Sequence, residues 1–154
     1  MNSLFEKEHV DGLAARIREL TPESQPLWGR MDVAEMMAHC HVTFEMVFPE
    51  RSEIAFKKAT GVKGWLLRKF VKPMVVGEKP YKKNLMTAPE FKVVGRREFE
   101  VEQARLLESL ALAHSKGEEF FEGLESPSFG AMTAREWSNT LHKHTDHHLQ
   151  QFGV

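Results

Sequence analysis

The stretch from Ser138 to Phe152 carries four histidines, His142, His144, His147 and His148. A neutral imidazole offers one nitrogen lone pair and titrates near neutrality, so clustered histidines suit proton transfer or metal ligation. On an α-helix each residue advances about 100°, and positions four apart stand nearly above one another. The apolar residues Ala134, Trp137, Leu141 and Phe152 then share one quadrant of the helical wheel. His148 lies close to that quadrant and His144 beside it, whereas His147 points outward and His142 towards the other flank. His144 and His148 form an i, i+4 pair on the core-facing side, with Cβ atoms roughly 5–6 Å apart. Two imidazoles at that spacing can bind one divalent ion from a single helix. The plainer alternative is a pair of partly buried histidines satisfied by hydrogen bonds.

A ligand from elsewhere in the chain would turn the pair into a site. His39 and His41 flank the apolar stripe of an earlier helix, about 200° apart, so a regular helix cannot aim both at one ion. Periodicity alone does not choose between them. Cys40, at the centre of that stripe, reads as a small buried hydrophobe rather than a thiolate. Glu35, Glu45 and Asp146 are near in sequence and could accept the free N–H of a ligand, although Asp146 should point away from the pair and be solvated.

The elements that must position these residues are helices. Ser3 with Glu6, Asp32 with Glu35, and Thr133 with Glu136 each read as a capping box. Together with apolar residues at 3.6-residue spacing they predict helices near 4–20, 33–47 and 134–151, and a further periodic run predicts one over 97–122. Gly117 interrupts that run and marks a bend. Leu27 and Trp28 sit in the connection from Thr21 to Met31, where an aromatic most simply caps the end of the helices. Over an insertion spanning residues 49–95 the pattern is least legible, with a short helical piece expected around Lys63–Val71. Lys57, Lys58, Lys63, Arg68, Lys69, Lys72, Lys79, Lys82 and Lys83 make this insertion locally positive. It is either a solvated face or an attractor for an anionic substrate. Gly123 through Gly130 reads as a short loop. The architecture these elements predict is all-α, a four-helix bundle with a long link between its second and third helices, in one domain spanning residues 1–154.

Composition bounds the function. At 154 residues, 42% hydrophobic and 28% charged, the chain can bury a proper core. A net charge of −1 makes no case for nucleic acid or for a membrane as partner. One cysteine excludes an internal disulfide, and the first residues become charged too early for a secretory leader. A cytoplasmic location is the expectation.

The segments Pro26-Leu27-Trp28-Gly29-Arg30-Met31, Met37-Ala38-His39-Cys40, Phe129-Gly130-Ala131-Met132-Thr133-Ala134-Arg135-Glu136-Trp137 and His144-Thr145-Asp146-His147-His148-Leu149-Gln150-Gln151-Phe152-Gly153 resemble the DinB/YfiT-like superfamily, in a branch without assigned activity. The resemblance implies a four-helix bundle with three histidines around a divalent metal in a cleft. The superfamily's ligand on helix two matches His39, and its ligands on helix four match His144 and His148. All-imidazole ligation suits zinc, nickel or iron. The resemblance further implies a small-molecule substrate, such as a low-molecular-weight thiol, a metal-dependent hydrolase or thiol S-transferase activity, and a homodimer. The alternative is a non-catalytic metal-binding or stress-associated helical module. No catalytic residue beyond the ligands stands out.

Overall fold

Asp32 and Thr133 start their helices as capping boxes. In a computed structural model, which describes residues 3–52, 54–85 and 89–154, Asp32 Oδ1 accepts the Glu35 backbone N–H at 2.8 Å and Glu35 Oε2 accepts the Asp32 N–H at 3.0 Å. Thr133 and Glu136 exchange the same two bonds at 3.2 and 3.0 Å. The helices they open are α2 (Val33–Glu45) and, last in the chain, α6 (Ala134–Gln151). The third expected box does not form. The first helix, α1 (Lys7–Glu19), begins after Glu6 with no side-chain cap. Ser3 Oγ instead accepts the Phe5 N–H at 3.1 Å, and the Ser3 N–H donates to His9 Nδ1 at 3.0 Å. Local bonds of this kind compete with the helical cap for the same hydroxyl.

The link after α2 holds more helix than the expected 63–71 piece. It runs through α3 (Gly61–Leu66), a π turn at Leu67–Val71 and α4 (Lys72–Val76). The widened turn ends two residues before Pro73, which has no N–H to continue the regular ladder. This segment is fastened to α6. Asn139 Nδ2 donates to the Val76 carbonyl at 2.9 Å, Lys143 Nζ donates to the carbonyls of Met74 and Gly77, and Lys72 pairs with Glu136 at 3.0 Å. A 3₁₀ turn, Pro89–Phe91, closes the link against α2.

α5 (Phe99–Phe121) bends where expected: Gly117 has φ +71°, a conformation that favours glycine. The loop expected over 123–130 contains a two-residue hairpin, β1 (Glu125–Ser126) paired antiparallel with β2 (Gly130–Ala131). Ser126 Oγ shapes its turn by accepting the N–H groups of Ser128 and Phe129.

The chain is thus mostly helical, and four of its helices share one core. Leu13 and Ile17 of α1, Met36, Met37 and Phe44 of α2, Leu106 and Leu110 of α5, and Trp137 and Leu141 of α6 are all essentially inaccessible. Each such side chain contributes about 1.5–3 kcal/mol of burial. α2 and α6 are in contact, and it is this contact that brings the histidines together. Among the described residues, no helix is long and apolar enough to cross a membrane.

Candidate metal centre

His39 lies in the middle of α2, and His144 and His148 are one turn apart near the end of α6. Their rings form a nearly equilateral triangle, with centroids 4.8 Å (His39–His144), 4.8 Å (His39–His148) and 4.7 Å (His144–His148) apart. One ligating nitrogen from each lies within 4.8 Å of the others, and His39 Nε2 and His144 Nε2 are 3.0 Å apart. Nitrogens around a tetrahedral zinc ion at 2.0–2.1 Å are about 3.3 Å from one another. The three histidines are therefore close enough to bind one metal ion, and no carboxylate or thiolate joins them among the described residues.

Hydrogen bonds decide what two of the rings can offer. His39 Nδ1–H donates to the Phe91 carbonyl at 2.9 Å, which leaves its Nε2 as an acceptor facing His144 Nε2 at 3.0 Å. His148 Nδ1–H donates to Gln151 Oε1 at 2.8 Å, which leaves its Nε2 as an acceptor too. The Gln151 amide is itself oriented, because its Nε2 donates to the Trp28 carbonyl at 2.6 Å. The third ring is not tied this way: His144 Nδ1 is shielded from solvent with no hydrogen-bond partner among the described residues. Lone pairs are thus left on the Nε2 atoms of His39 and His148, and His144 meets His39 through its Nε2 while its Nδ1 has no partner among the described residues. That donor set fits a divalent ion, and the bonds to Phe91 and Gln151 are of the kind that orient metal-ligating imidazoles.

Burial keeps the three rings neutral. His39 and His148 are 5% and 8% exposed. Desolvation, partly offset by the Phe91 carbonyl, holds His39 below the ordinary imidazole range. Burial, then repulsion from His39, lowers His148 to about 3 against the opposing pull of Gln151. His144 is lowered well below the usual value by burial and then by its histidine neighbours. At neutral pH no proton competes for the lone pairs.

The other residues singled out by sequence are engaged elsewhere. His41 faces α5, with Nδ1 2.9 Å from Ser109 Oγ and Nε2 3.4 Å from Glu45. Glu45 also pairs with Arg105, and Glu35 caps its own helix. Asp146 is not solvated as expected: it pairs with Arg16 of α1 at 2.6 Å and accepts from Gln150 at 2.7 Å. Cys40 is fully buried with its thiol towards Met36, and burial pushes its pKa up, away from thiolate chemistry. The orienting partners that sequence reasoning missed are Phe91 and Gln151. The only signal for Gln151 was its place three residues after His148.

Trp28 does more than close the end of the helices. Its ring, His147 and Tyr81 are neighbours, with centroids 5.9 Å (Trp28–His147) and 5.6 Å (Tyr81–His147) apart. They wall a cavity of about 420 Å³ that Lys83, Lys143 and Asn139 also line. Lys83 Nζ stands 4.2 Å from the Trp28 ring and Lys143 Nζ 4.4 Å from Tyr81. His147 stands outside the three-histidine cluster, although its ring is 5.2 Å from that of His148, and it lines this cavity rather than open solvent. The 49–95 insertion supplies one wall through Gly77, Pro80 and Tyr81, although none of the three clustered histidines lines the cavity. A larger cavity of about 520 Å³ lies beside Pro49, Ile54 and Phe56 and contains no histidine, so size does not mark the site.

Comparison of the chain with protein-family models, with curated proteins and with solved structures finds no match.

Proposed function

We propose that this chain is a four-helix-bundle protein of the DinB/YfiT-like type that holds one divalent metal ion on His39, His144 and His148 and uses it on a small-molecule substrate. The observation that carries the reading is the convergence of three neutral imidazoles, two with their Nδ1 protons committed to Phe91 and Gln151. Three protein ligands leave at least one position open on the ion, as in catalytic rather than structural sites. When bound, the ion would supply Lewis acidity, lowering the pKa of a water or thiol or polarising a carbonyl. The chain's own part is to hold the rings in register, keep protons off them by burial, and bind the rest of the substrate. The cavity between Trp28, Tyr81 and His147, which adjoins His144, suits the last task. Its aromatic walls and Lys83 favour an adduct with an apolar portion and an anionic group, such as a conjugate of a low-molecular-weight thiol. Glu78 and Asp146 of the same lining are held by Arg135 and Arg16, and Lys143 is committed to backbone carbonyls.

Elemental analysis of the purified protein tests the first step. About one zinc, nickel or iron per chain is expected, and its loss in His39→Ala. Metal content that is unchanged in His39→Ala refutes the site. A turnover screen of the loaded protein against thiol conjugates tests the second step, and metal binding without turnover favours the non-catalytic module.

A further inference from the structure

The stretch from Ile54 to Gly77 contains six basic residues, Lys57, Lys58, Lys63, Arg68, Lys69 and Lys72, and no acidic one. The near-neutral charge of the whole chain conceals this concentration. Within it, α3, the π turn and α4 carry apolar side chains on both sides. Leu67, Val71, Val75 and Val76 are half-buried towards the rest of the fold. On the outer side Val62 is 74% exposed, Trp65 51% and Phe70 62%, with Leu66 and Met74 exposed alongside them. A helix that is apolar all round is ordinarily a buried one, and an apolar patch left open marks a binding surface. Asn139, Lys143 and the Lys72–Glu136 pair fasten the segment to α6 from below. Its outer face cannot turn inward without breaking those bonds.

Charge discriminates between the occupants. A two-fold contact with a second copy would set Lys63, Arg68 and Lys69 against the same residues of the partner. All three are exposed, and none makes an ion pair among the described residues. Like charges would then meet across the interface, so the occupant must be anionic. The outer side chains recur at three- and four-residue spacing, and none of them lines either cavity described above. Lys69 lies along the aromatics, its Nζ 4.8 Å from the Trp65 ring and 5.4 Å from Phe70. An ammonium at that height can stay with phosphates while the rings go deeper.

We propose that the outer face of residues 61–76 is a peripheral docking surface for anionic phospholipid. Trp65, Leu66, Phe70 and Met74 enter the boundary between headgroups and acyl chains, and Lys63, Arg68 and Lys69 meet the lipid phosphates. The surface lies on the membrane and does not span it, and the proposal does not depend on the metal.

The test uses the full chain with vesicles of phosphatidylcholine alone or mixed with phosphatidylglycerol. Co-sedimentation is expected with the mixed vesicles, weakened by salt, together with a blue shift in tryptophan emission. The shift should vanish in Trp65→Phe, where Trp28 and the buried Trp137 remain as internal controls. Replacing Lys63, Arg68 and Lys69 with glutamine should weaken partition on the order of 100-fold at low salt. Trp65→Ser with Phe70→Ser should abolish it while leaving the thermal melt in place. Absence of binding to the mixed vesicles overturns the proposal, as does equal binding by the parent and the glutamine variant. Self-association without lipid that the serine variant abolishes would assign the face to a second copy and overturn it equally.

Discussion

His148 answers to three constraints at once. Its ring lies 4.8 Å from that of His39 and 4.7 Å from that of His144, its Nδ1 donates to Gln151, and the residue is buried. Truncating it removes half of the i, i+4 pair, so His148→Ala should weaken zinc affinity by roughly 100-fold or more, beyond what loss of an orienting partner does. His147→Ala should leave affinity near the parent value, because that ring faces Trp28 and Tyr81. Equal losses in the two variants, measured by competition with a chromophoric chelator, would refute the ligand assignment. Gln151→Leu keeps the ligands and removes only the acceptor of the His148 Nδ1 proton. A loss of about 10- to 100-fold is expected, and an unchanged affinity would show that the Gln151 bond does not orient the ring.

At the scale of elements, the histidine cluster depends on a loop that contains none of its three residues. The Leu27 N–H donates to the Gln151 carbonyl at 2.7 Å, and the Trp28 carbonyl holds the Gln151 amide. Gly29 follows at φ +84°, and a Cβ there would stand 2.4 Å from Gln151 Nε2. Gly29→Ala therefore meets both a strained backbone, of order 1–3 kcal/mol, and a clash with the amide that orients His148. It should lower the melting temperature by several degrees and weaken metal binding in the same sense as Gln151→Leu. The two effects on affinity should not add in the double variant, since both act through one amide. Full additivity would place the Gly29 effect elsewhere.

For the whole molecule, burying neutral imidazoles links stability to pH. His39, His144 and His148 have folded-state values below 6.5, so between those values and 6.5 the unfolded chain binds more protons. The stability they permit is complete above about pH 6.5 and falls as the pH drops. For His148 the loss continues to about 3, at about 1.4 kcal/mol per pH unit where the unfolded ring is protonated and the folded one is not. Denaturant midpoints of the metal-free protein should therefore decline steeply below pH 6.5, and zinc should displace the decline to lower pH. A flat profile between pH 7 and 4.5 would show that the rings protonate without unfolding.

The amino-acid sequence alone determined the start of α2 and of α6, because a capping box is complete within four residues and needs no distant partner. It determined the His144–His148 pair for the same reason: helical geometry makes i, i+4 neighbours wherever the helix lies. It also marked the bend at Gly117, where the residue type permits what the backbone does. The choice of His39 over His41 belonged to the tertiary structure, since both flank one stripe and only the packing of α2 between α5 and α6 tells them apart. Asp146 met Arg16 rather than solvent because α1 lies 130 residues away in sequence and beside it in space. The Phe91 carbonyl and the Gln151–Trp28 bridge likewise join residues 52 and 123 positions apart. Ser3 left its expected cap for bonds to Phe5 and His9. Local spacing set which side chains could do chemistry; long-range packing decided which nitrogens face one another and which protons are already committed.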